Sequence, residues 1–259
     1  MLEEFKVGNL TVRIIPDPDL EAMNPREDST PVGKMVCWHP RYNLGDEQPR
    51  GDPEEWLNTL LDEETEERIE RLSDIIDRYT TLDRDRDWNR VAMEGKEHTV
   101  SWAKRKVKEI SEKFLEDNYV ILPLYLYDHS GLTMNTSGFS CQWDSGQVGY
   151  IYVSMDNARK EFSGTGDPTA RRKKPRGIQR YWDEEVREWA EKYLKGEVKE
   201  YDQYLRGDVW GFVIEDEDGE EVGSCWGFYG REYCIEQAKE AAEAKLEMRP
   251  QQIELKLGE

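Results

Sequence analysis

Residues 119–127 read YVILPLYLY, and residues 147–155 read QVGYIYVSM. Both runs have the length of a strand and are rich in aromatic and β-branched residues. The first run is apolar almost throughout, which indicates burial on both faces, although Pro123 favours an edge, a bulge or a bend. The two runs predict the two strongest strands of the protein.

Shorter strands are predicted on both sides of these runs. Residues 5–15 alternate in polarity around Gly8 and predict one or two strands, and the apolar residues 35–38 lead directly into a polar segment. The pair Asp218-Gly219 separates two strand-like runs, 209–214 and 221–228, which is the pattern of a β-hairpin.

Helices are predicted from apolar residues at helical spacing. Asp52 precedes Pro53 and two glutamates, a sequence typical of a capped helix start, and a turn is expected near Glu63. Further helices are expected at about 103–118, after residue 177 with a break at Gly196, and at 231–247, followed by a short strand at 253–257. Residues 83–98 are expected to be irregular.

Strands and helices do not alternate regularly, which favours an α+β fold with a mixed, largely antiparallel sheet and several amphipathic helices packed on it. The length of 259 residues fits a single acidic domain. The Gly-rich and basic stretch 163–177 is the one place where that domain is expected to subdivide.

The charge balance restricts the classes of partner. The chain has 36 basic and 56 acidic residues, a formal net charge of −20. This charge repels nucleic-acid phosphates and anionic membranes and attracts basic protein surfaces. We therefore expect a protein partner with a basic surface, and neither direct nucleic-acid binding nor membrane association.

The cysteines and the hydropathy pattern predict a cytoplasmic location. None of the four cysteines forms a C-x-x-C pair, which disfavours a zinc ribbon or a thioredoxin-like motif. No segment approaches the roughly 20 apolar residues of a membrane span, and the N-terminus lacks the apolar run of a signal peptide. We expect free thiols in a reducing cytoplasm; if the chain is encoded by a bacteriophage, that is the cytoplasm of the host cell.

Three polar segments, 37–46, 127–131 and 141–146, combine His, Cys, Asp and Gly residues. In the first two segments, His39 and His129 each stand at the end of an apolar run, where a strand presents functional side chains on a loop. In one hypothesis they form a nucleophilic site, with a thiolate, an imidazole base and an orienting carboxylate. In a second they bind a metal ion, and in a third the same side chains only cap strand ends or bind a ligand without catalysis. The sequence leaves open whether a cofactor or a metal is bound. The candidates are His39, Asp46, Asp128, His129, Cys141 and Asp144.

Acidic residues are concentrated at 52–87, a stretch that contains fourteen Asp and Glu residues and five arginines. A helix here would carry carboxylates at spacings that approach those of phosphates in DNA. The run 171–176 is the one basic patch, which either contacts phosphates or forms an exposed loop. The predicted contact residues for a basic partner are Glu63, Glu64, Glu66, Glu67 and Glu70.

Four segments carry a resemblance to a family: WHPRYNLGDEQP, LPLYLYDHSGLTMNTSGFSCQWDSGQVGYIYV, YDQYLRGDVWGFVIE and GSCWGFYGREYC. The chain resembles uncharacterised hypothetical proteins encoded by bacteriophages and mobile elements, over most of residues 24–235. The family supplies no catalytic residues. It implies an accessory protein that acts in the infected cell, against a host defence system.

Two functional hypotheses follow from charge and resemblance together. The first is an acidic, DNA-mimicking binding protein that inhibits a restriction or CRISPR nuclease. The alternative is an enzyme or ligand-binding protein that uses the three polar segments. The sequence leaves the partner, the substrate and the oligomeric state open.

Overall fold

Two four-stranded antiparallel sheets and seven helices form the chain in the computed structural model, which describes residues 3–20, 23–28, 30–81, 90–141, 143–163 and 176–256. The α+β class expected from the sequence is confirmed.

The first sheet has the strand order β1-β2-β7-β8. Leu10, Val12 and Ile14 alternate along β2 and are buried, and these side chains pack with those of β7 and with α7. The predicted hairpin is present, with Gly219 at a positive φ of 81° in its turn. The elements are β1 (Glu3–Val7), β2 (Leu10–Pro16), β7 (Val209–Glu215), β8 (Glu221–Tyr229) and α7 (Arg231–Lys256).

The second sheet has the order β3-β6-β4-β5 and contains both of the strong predicted strands. The strand with Pro123 lies inside the sheet and not at its edge, but its ladder with β5 starts only at Tyr125. Pro123, which has no N–H to donate, therefore lies outside that ladder. The strands are β3 (Lys34–Cys37), β4 (Tyr119–Asp128), β5 (Leu132–Asn135) and β6 (Ser145–Ser154).

The remaining helices are α1 (Pro25–Asp28), α2 (Pro53–Asn58), α3 (Glu63–Thr81), α4 (Arg90–Asn118), α5 (Met155–Ser163) and α6 (Arg176–Leu205). The predicted cap is present at α2, because the Asp52 carboxylate accepts a hydrogen bond from the Glu54 nitrogen at 2.7 Å. The predicted turn between α2 and α3 is also present, so that α3 begins at Glu63.

Three local predictions are wrong. Helix α6 continues through Gly196. The buried residues Leu194 and Val198 on either side of it keep helical spacing, so both pack in the same direction. A glycine destabilises a helix by only about 1 kcal/mol relative to alanine, which this packing can offset. Helix α7 continues to Lys256 where a terminal strand was expected. Helix α4 already begins at Arg90, within the stretch 83–98 that was expected to be irregular, although 82–89 lie outside the described residues.

The fold divides into two units, each built from separate stretches of sequence. Unit 1 comprises residues Met1–Pro31, Leu124–Gln147 and Lys195–Glu259, and unit 2 comprises Val32–Pro123 and Val148–Leu194. Unit 1 contains the whole β1-β2-β7-β8 sheet with α7, and unit 2 contains α3 and α4, which pack against each other.

Candidate functional site

His39, in unit 2, is an acceptor for the backbone of its own loop. Its Nδ1 atom accepts hydrogen bonds from the nitrogens of Arg41 at 3.3 Å and Tyr42 at 3.2 Å. Its ring also stacks on that of Tyr42, with centroids 4.8 Å apart. These contacts give His39 a structural role in the turn that follows β3.

Asp46 holds the other end of the same loop against β3. Its Oδ2 atom accepts a hydrogen bond from the Met35 nitrogen at 2.7 Å, and its own nitrogen donates to the Met35 carbonyl at 2.9 Å. Gly45 permits this approach, since its φ is +68° and a Cβ would lie 2.9 Å from the Cβ of Met35. The Asp46 carboxylate is therefore occupied by the backbone of its own unit.

The other four predicted residues lie in unit 1, where three of their side chains meet. We call His129, Cys141 and Asp144 the Asp144 cluster. The Asp144 Oδ2 atom lies 3.4 Å from His129 Nδ1 and 3.8 Å from Cys141 Sγ. The side chains of His129 and Asp144 are 63% and 42% exposed, so this pair contributes at most about 1 kcal/mol to stability.

Backbone contacts at the ends of β4 and β6 position the Asp144 cluster. The Asp128 nitrogen donates to the Asp144 carbonyl at 2.9 Å, and the His129 nitrogen donates to the Gly131 carbonyl at 3.2 Å. Between them Ser130 has a φ of 60°, the only positive φ of a non-glycine residue in the described chain. The tight turn therefore fixes the direction in which the chain leaves β4 after His129.

The order of groups in the Asp144 cluster does not match a nucleophilic triad. In a triad the imidazole lies between the nucleophile and the carboxylate. Here one oxygen of Asp144 is the near neighbour of both the thiol and the imidazole. The nearest polar neighbour of the Cys141 thiol is therefore the Asp144 carboxylate and not an imidazole.

A metal site is not supported in the described part of the chain. No three His, Cys, Asp or Glu side chains there are grouped as metal ligands, and this includes the six predicted candidates. Residue 142, inside one of the three polar segments, lies outside the described residues.

Aromatic side chains lie beside the Asp144 cluster in unit 1. The ring of Tyr127 stacks on His129 at 6.0 Å between centroids and lies 5.6 Å from that of Phe139. Trp143 is 96% exposed, the highest value among the large hydrophobic residues described. Exposed tryptophan and tyrosine side chains are typical of protein contact surfaces rather than of closed catalytic pockets.

The five predicted contact glutamates all lie on the exposed side of α3 in unit 2. On the opposite side Thr65 is buried and Ile69, Leu72 and Ile76 are half-buried, and this side of α3 packs against α4. The Asp62 carboxylate accepts a hydrogen bond from the Thr65 nitrogen at 2.9 Å at the start of the helix. Bonds from the Thr65 side chain and backbone lower the pKa of Asp62, so this carboxylate stays charged.

Two other predicted features lie outside the described residues. They are the acidic residues at 83, 85 and 87, and the basic run 171–176 except Arg176, the first residue of α6.

A cavity in unit 1 was not predicted from the sequence. It has a volume of about 680 Å³ and is bounded by α6, α7 and the ends of β7 and β8. Gly227 and Gly230 of its wall belong to GSCWGFYGREYC, a segment quoted above only for the family resemblance. The chemistry of this cavity depends on residues of α6 and α7, which are far apart in the sequence and share no local sequence pattern.

Comparison with known proteins gives no relative from which a function could be transferred. No protein-family model matches the chain, and neither the curated proteins nor the solved structures yield a significant match. No helix among the described residues is long and apolar enough to cross a membrane.

Proposed function

We propose that this protein is an acidic binding protein that engages a basic surface on a protein partner through the exposed side of α3. The observation that carries the proposal is the row of exposed carboxylates on that helix, opposite the side that packs on α4. In its most concrete form the protein is a phage or mobile-element accessory protein that blocks the DNA-binding surface of a host restriction or CRISPR nuclease.

The spacing along α3 supports this proposal. Glu63, Glu67, Glu70, Asp74 and Asp77 are all exposed and recur every three or four residues, so they share one side of the helix. This row covers residues 63–77, and its first and last residues are about 21 Å apart at the α-helical rise of about 1.5 Å per residue.

The charge density of α3 is close to that of a nucleic-acid strand. Residues 63–77 contain seven acidic and two basic residues. Over about 21 Å this corresponds to one carboxylate per ~3 Å, or one net charge per ~4 Å, against about 3.4 Å per phosphate along one DNA strand. One of the two arginines, Arg71, pairs with Glu67 at 3.0 Å on the exposed surface.

Inhibition of DNA cleavage tests the proposal directly. Purified restriction and CRISPR nucleases are assayed on plasmid DNA with increasing amounts of the protein. The test variant carries Glu67→Lys, Glu70→Lys and Asp74→Lys, which lie beyond the first turn and so spare the favourable helix-dipole interaction of the N-terminal acids. We expect at least a tenfold rise in the concentration needed for half-inhibition, and weaker inhibition at higher salt.

A matched variant controls for net charge. Glu217→Lys, Asp218→Lys and Glu220→Lys change the charge by the same amount at the exposed turn of the β7–β8 hairpin. This variant should inhibit within twofold of the wild type. Equal loss in both variants, or inhibition unchanged by the α3 substitutions, would contradict the assignment of α3; inhibition of none of the nucleases would contradict the nuclease form of the proposal.

A further inference from the structure

The cavity between α6 and α7 lies entirely in unit 1 and is independent of α3. Its volume of about 680 Å³ falls within the range of small-molecule binding sites. We call it the α6–α7 cavity. Gly196 lies in its wall, and a Cβ atom there would have no neighbour within 4 Å.

Two of the charged groups in its wall are already neutralised or bonded within the protein. Arg231 pairs with Glu3, and its guanidinium lies 5.7 Å from the ring centroid of Trp210. The carboxylate of Asp208 accepts a hydrogen bond from Trp210 Nε1 at 2.6 Å. Arg231 is thus neutralised by an ion pair within the protein, and one oxygen of the Asp208 carboxylate is hydrogen-bonded.

Three other carboxylates of the wall have no hydrogen-bonding or ion-pairing partner in the described part of the chain. Glu200 lies on α6, while Glu232 and Glu236 lie one turn apart on α7. Lys199 is the one cationic side chain of the wall besides Arg231. The uncommitted side chains thus carry a net negative charge.

The surroundings of Glu200 disfavour its charged form, although the residue remains exposed to solvent. Partial burial, and secondly the nearby charge of Glu197, raise its pKa above the ordinary value. A bound cation would relieve both effects, since an opposite charge favours the ionised carboxylate.

Aromatic rings complete the wall. Tyr233 is 53% exposed and its ring meets that of Phe228 edge-on, with centroids 6.0 Å apart. The Tyr229 hydroxyl donates to the Met23 carbonyl at 2.8 Å, which fixes the direction of that ring. Tyrosine faces beside carboxylates are the usual surroundings of a bound ammonium or guanidinium group.

We propose that the α6–α7 cavity binds an organic cation, a primary ammonium or guanidinium group on an alkyl chain, between Glu200 of α6 and Glu236 of α7. The cation is supplied by a free small molecule or by an arginine or lysine side chain of a protein. The site would bind independently of the surface on α3.

Titration of the full-length protein followed by NMR tests this site. The probe is N-acetyl-arginine amide, and N-acetyl-citrulline amide is its neutral counterpart of nearly equal shape. We expect the arginine probe to bind at least tenfold more tightly. Glu200→Gln and Glu236→Gln should each weaken it at least fivefold, whereas Glu243→Gln, at an exposed position of α7 outside the cavity wall, should not.

A second variant separates the cavity from general electrostatic attraction. Gly196→Phe keeps every charge and introduces a side chain where the structure leaves space. It should abolish binding of the arginine probe while leaving inhibition through α3 unchanged. Binding that survives Gly196→Phe, or preferential binding of N-acetyl-glutamate amide, would overturn the proposal.

Two further probes distinguish the source of the cation. Tighter binding of the capped peptide Ala-Arg-Ala than of the single arginine probe would identify a protein side chain as the ligand. Tighter binding of spermidine than of either would identify a free polyamine. Both results support the cation site. If Gly196→Phe abolishes the binding of all three probes, they bind in the same cavity.

Discussion

The Oδ1 atom of Asp202 on α6 accepts a hydrogen bond from the backbone nitrogen of Met134 on β5 at 2.8 Å. The same atom accepts the hydroxyl of Thr133 at 2.5 Å, and the side chain of Asp202 is only 15% exposed. One carboxylate oxygen thus secures a four-residue strand to a helix 68 residues away in sequence.

Removal of that carboxylate should destabilise unit 1. Asp202→Ala leaves a backbone N–H and a hydroxyl without their acceptor, at a cost of about 1–3 kcal/mol in the free energy of unfolding. Asp202→Asn keeps one acceptor oxygen and should lose less. Urea denaturation followed by circular dichroism measures both, and an Ala variant as stable as the wild type would contradict the role of this bond.

The pair of Arg26 and Glu197 should contribute much more than the ion pairs of the surface. Its atoms are 2.8 Å apart and the side chains are 3% and 10% exposed. Glu197→Ala leaves a guanidinium buried without this partner and should cost about 3–5 kcal/mol. Arg71→Ala breaks an exposed pair on α3 and should cost at most about 0.5 kcal/mol. Equal effects in the two variants, measured by urea denaturation, would contradict this difference.

Two glycines of β6 should respond very differently to the same substitution. A Cβ at Gly149 would overlap the carbonyl oxygen of Val36 on β3, whereas one at Gly146 would meet nothing within 4 Å. Gly149→Ala should therefore destabilise the protein by about 1–3 kcal/mol or more, because the strand backbone has to move. Gly146→Ala should be near neutral in thermal unfolding, and similar melting temperatures for both would refute the close approach.

Because the Cys234 thiol is buried, we expect the protein to lose stability in alkaline solution. Burial raises its pKa from the ordinary 9.0 to about 11. The unfolded chain therefore releases this proton at a lower pH than the folded protein does. The stabilising contribution is complete below about pH 9 and is lost as the pH rises through about 11. Stability measured from pH 8 to 11 should fall more steeply for the wild type than for Cys234→Ala, and parallel curves would contradict the assignment.

Local signals in the sequence were sufficient for many elements. Asp52 and Pro53 mark the start of α2, and Asp218-Gly219 marks the turn of the β7–β8 hairpin. Each depends on the backbone preferences of two to four adjacent residues. The short strand β5 was missed, because its four residues have no distinctive pattern and are held by β4 and by Asp202.

The candidate sites divide in the same way. The exposed row of α3 was predictable from helical spacing, because a helix that packs one side on a neighbour turns the other to solvent. The hydrogen-bonding partners of the polar candidates could not be predicted from the sequence. His39 accepts bonds from its own loop, while Asp144 lies beside both His129 and Cys141.

The sequence by itself determined the α+β class, most helices and strands, and the acidic side of α3, since these depend on periodicity and on neighbouring residues. Only the tertiary structure decided which carboxylates are bonded and which are available, and where a cavity forms. Glu200 and Glu236 are 36 residues apart on different helices and line one cavity because packing of the chain brings α6 and α7 together. Such proximity arises from contacts between distant parts of the chain, which a local pattern does not encode.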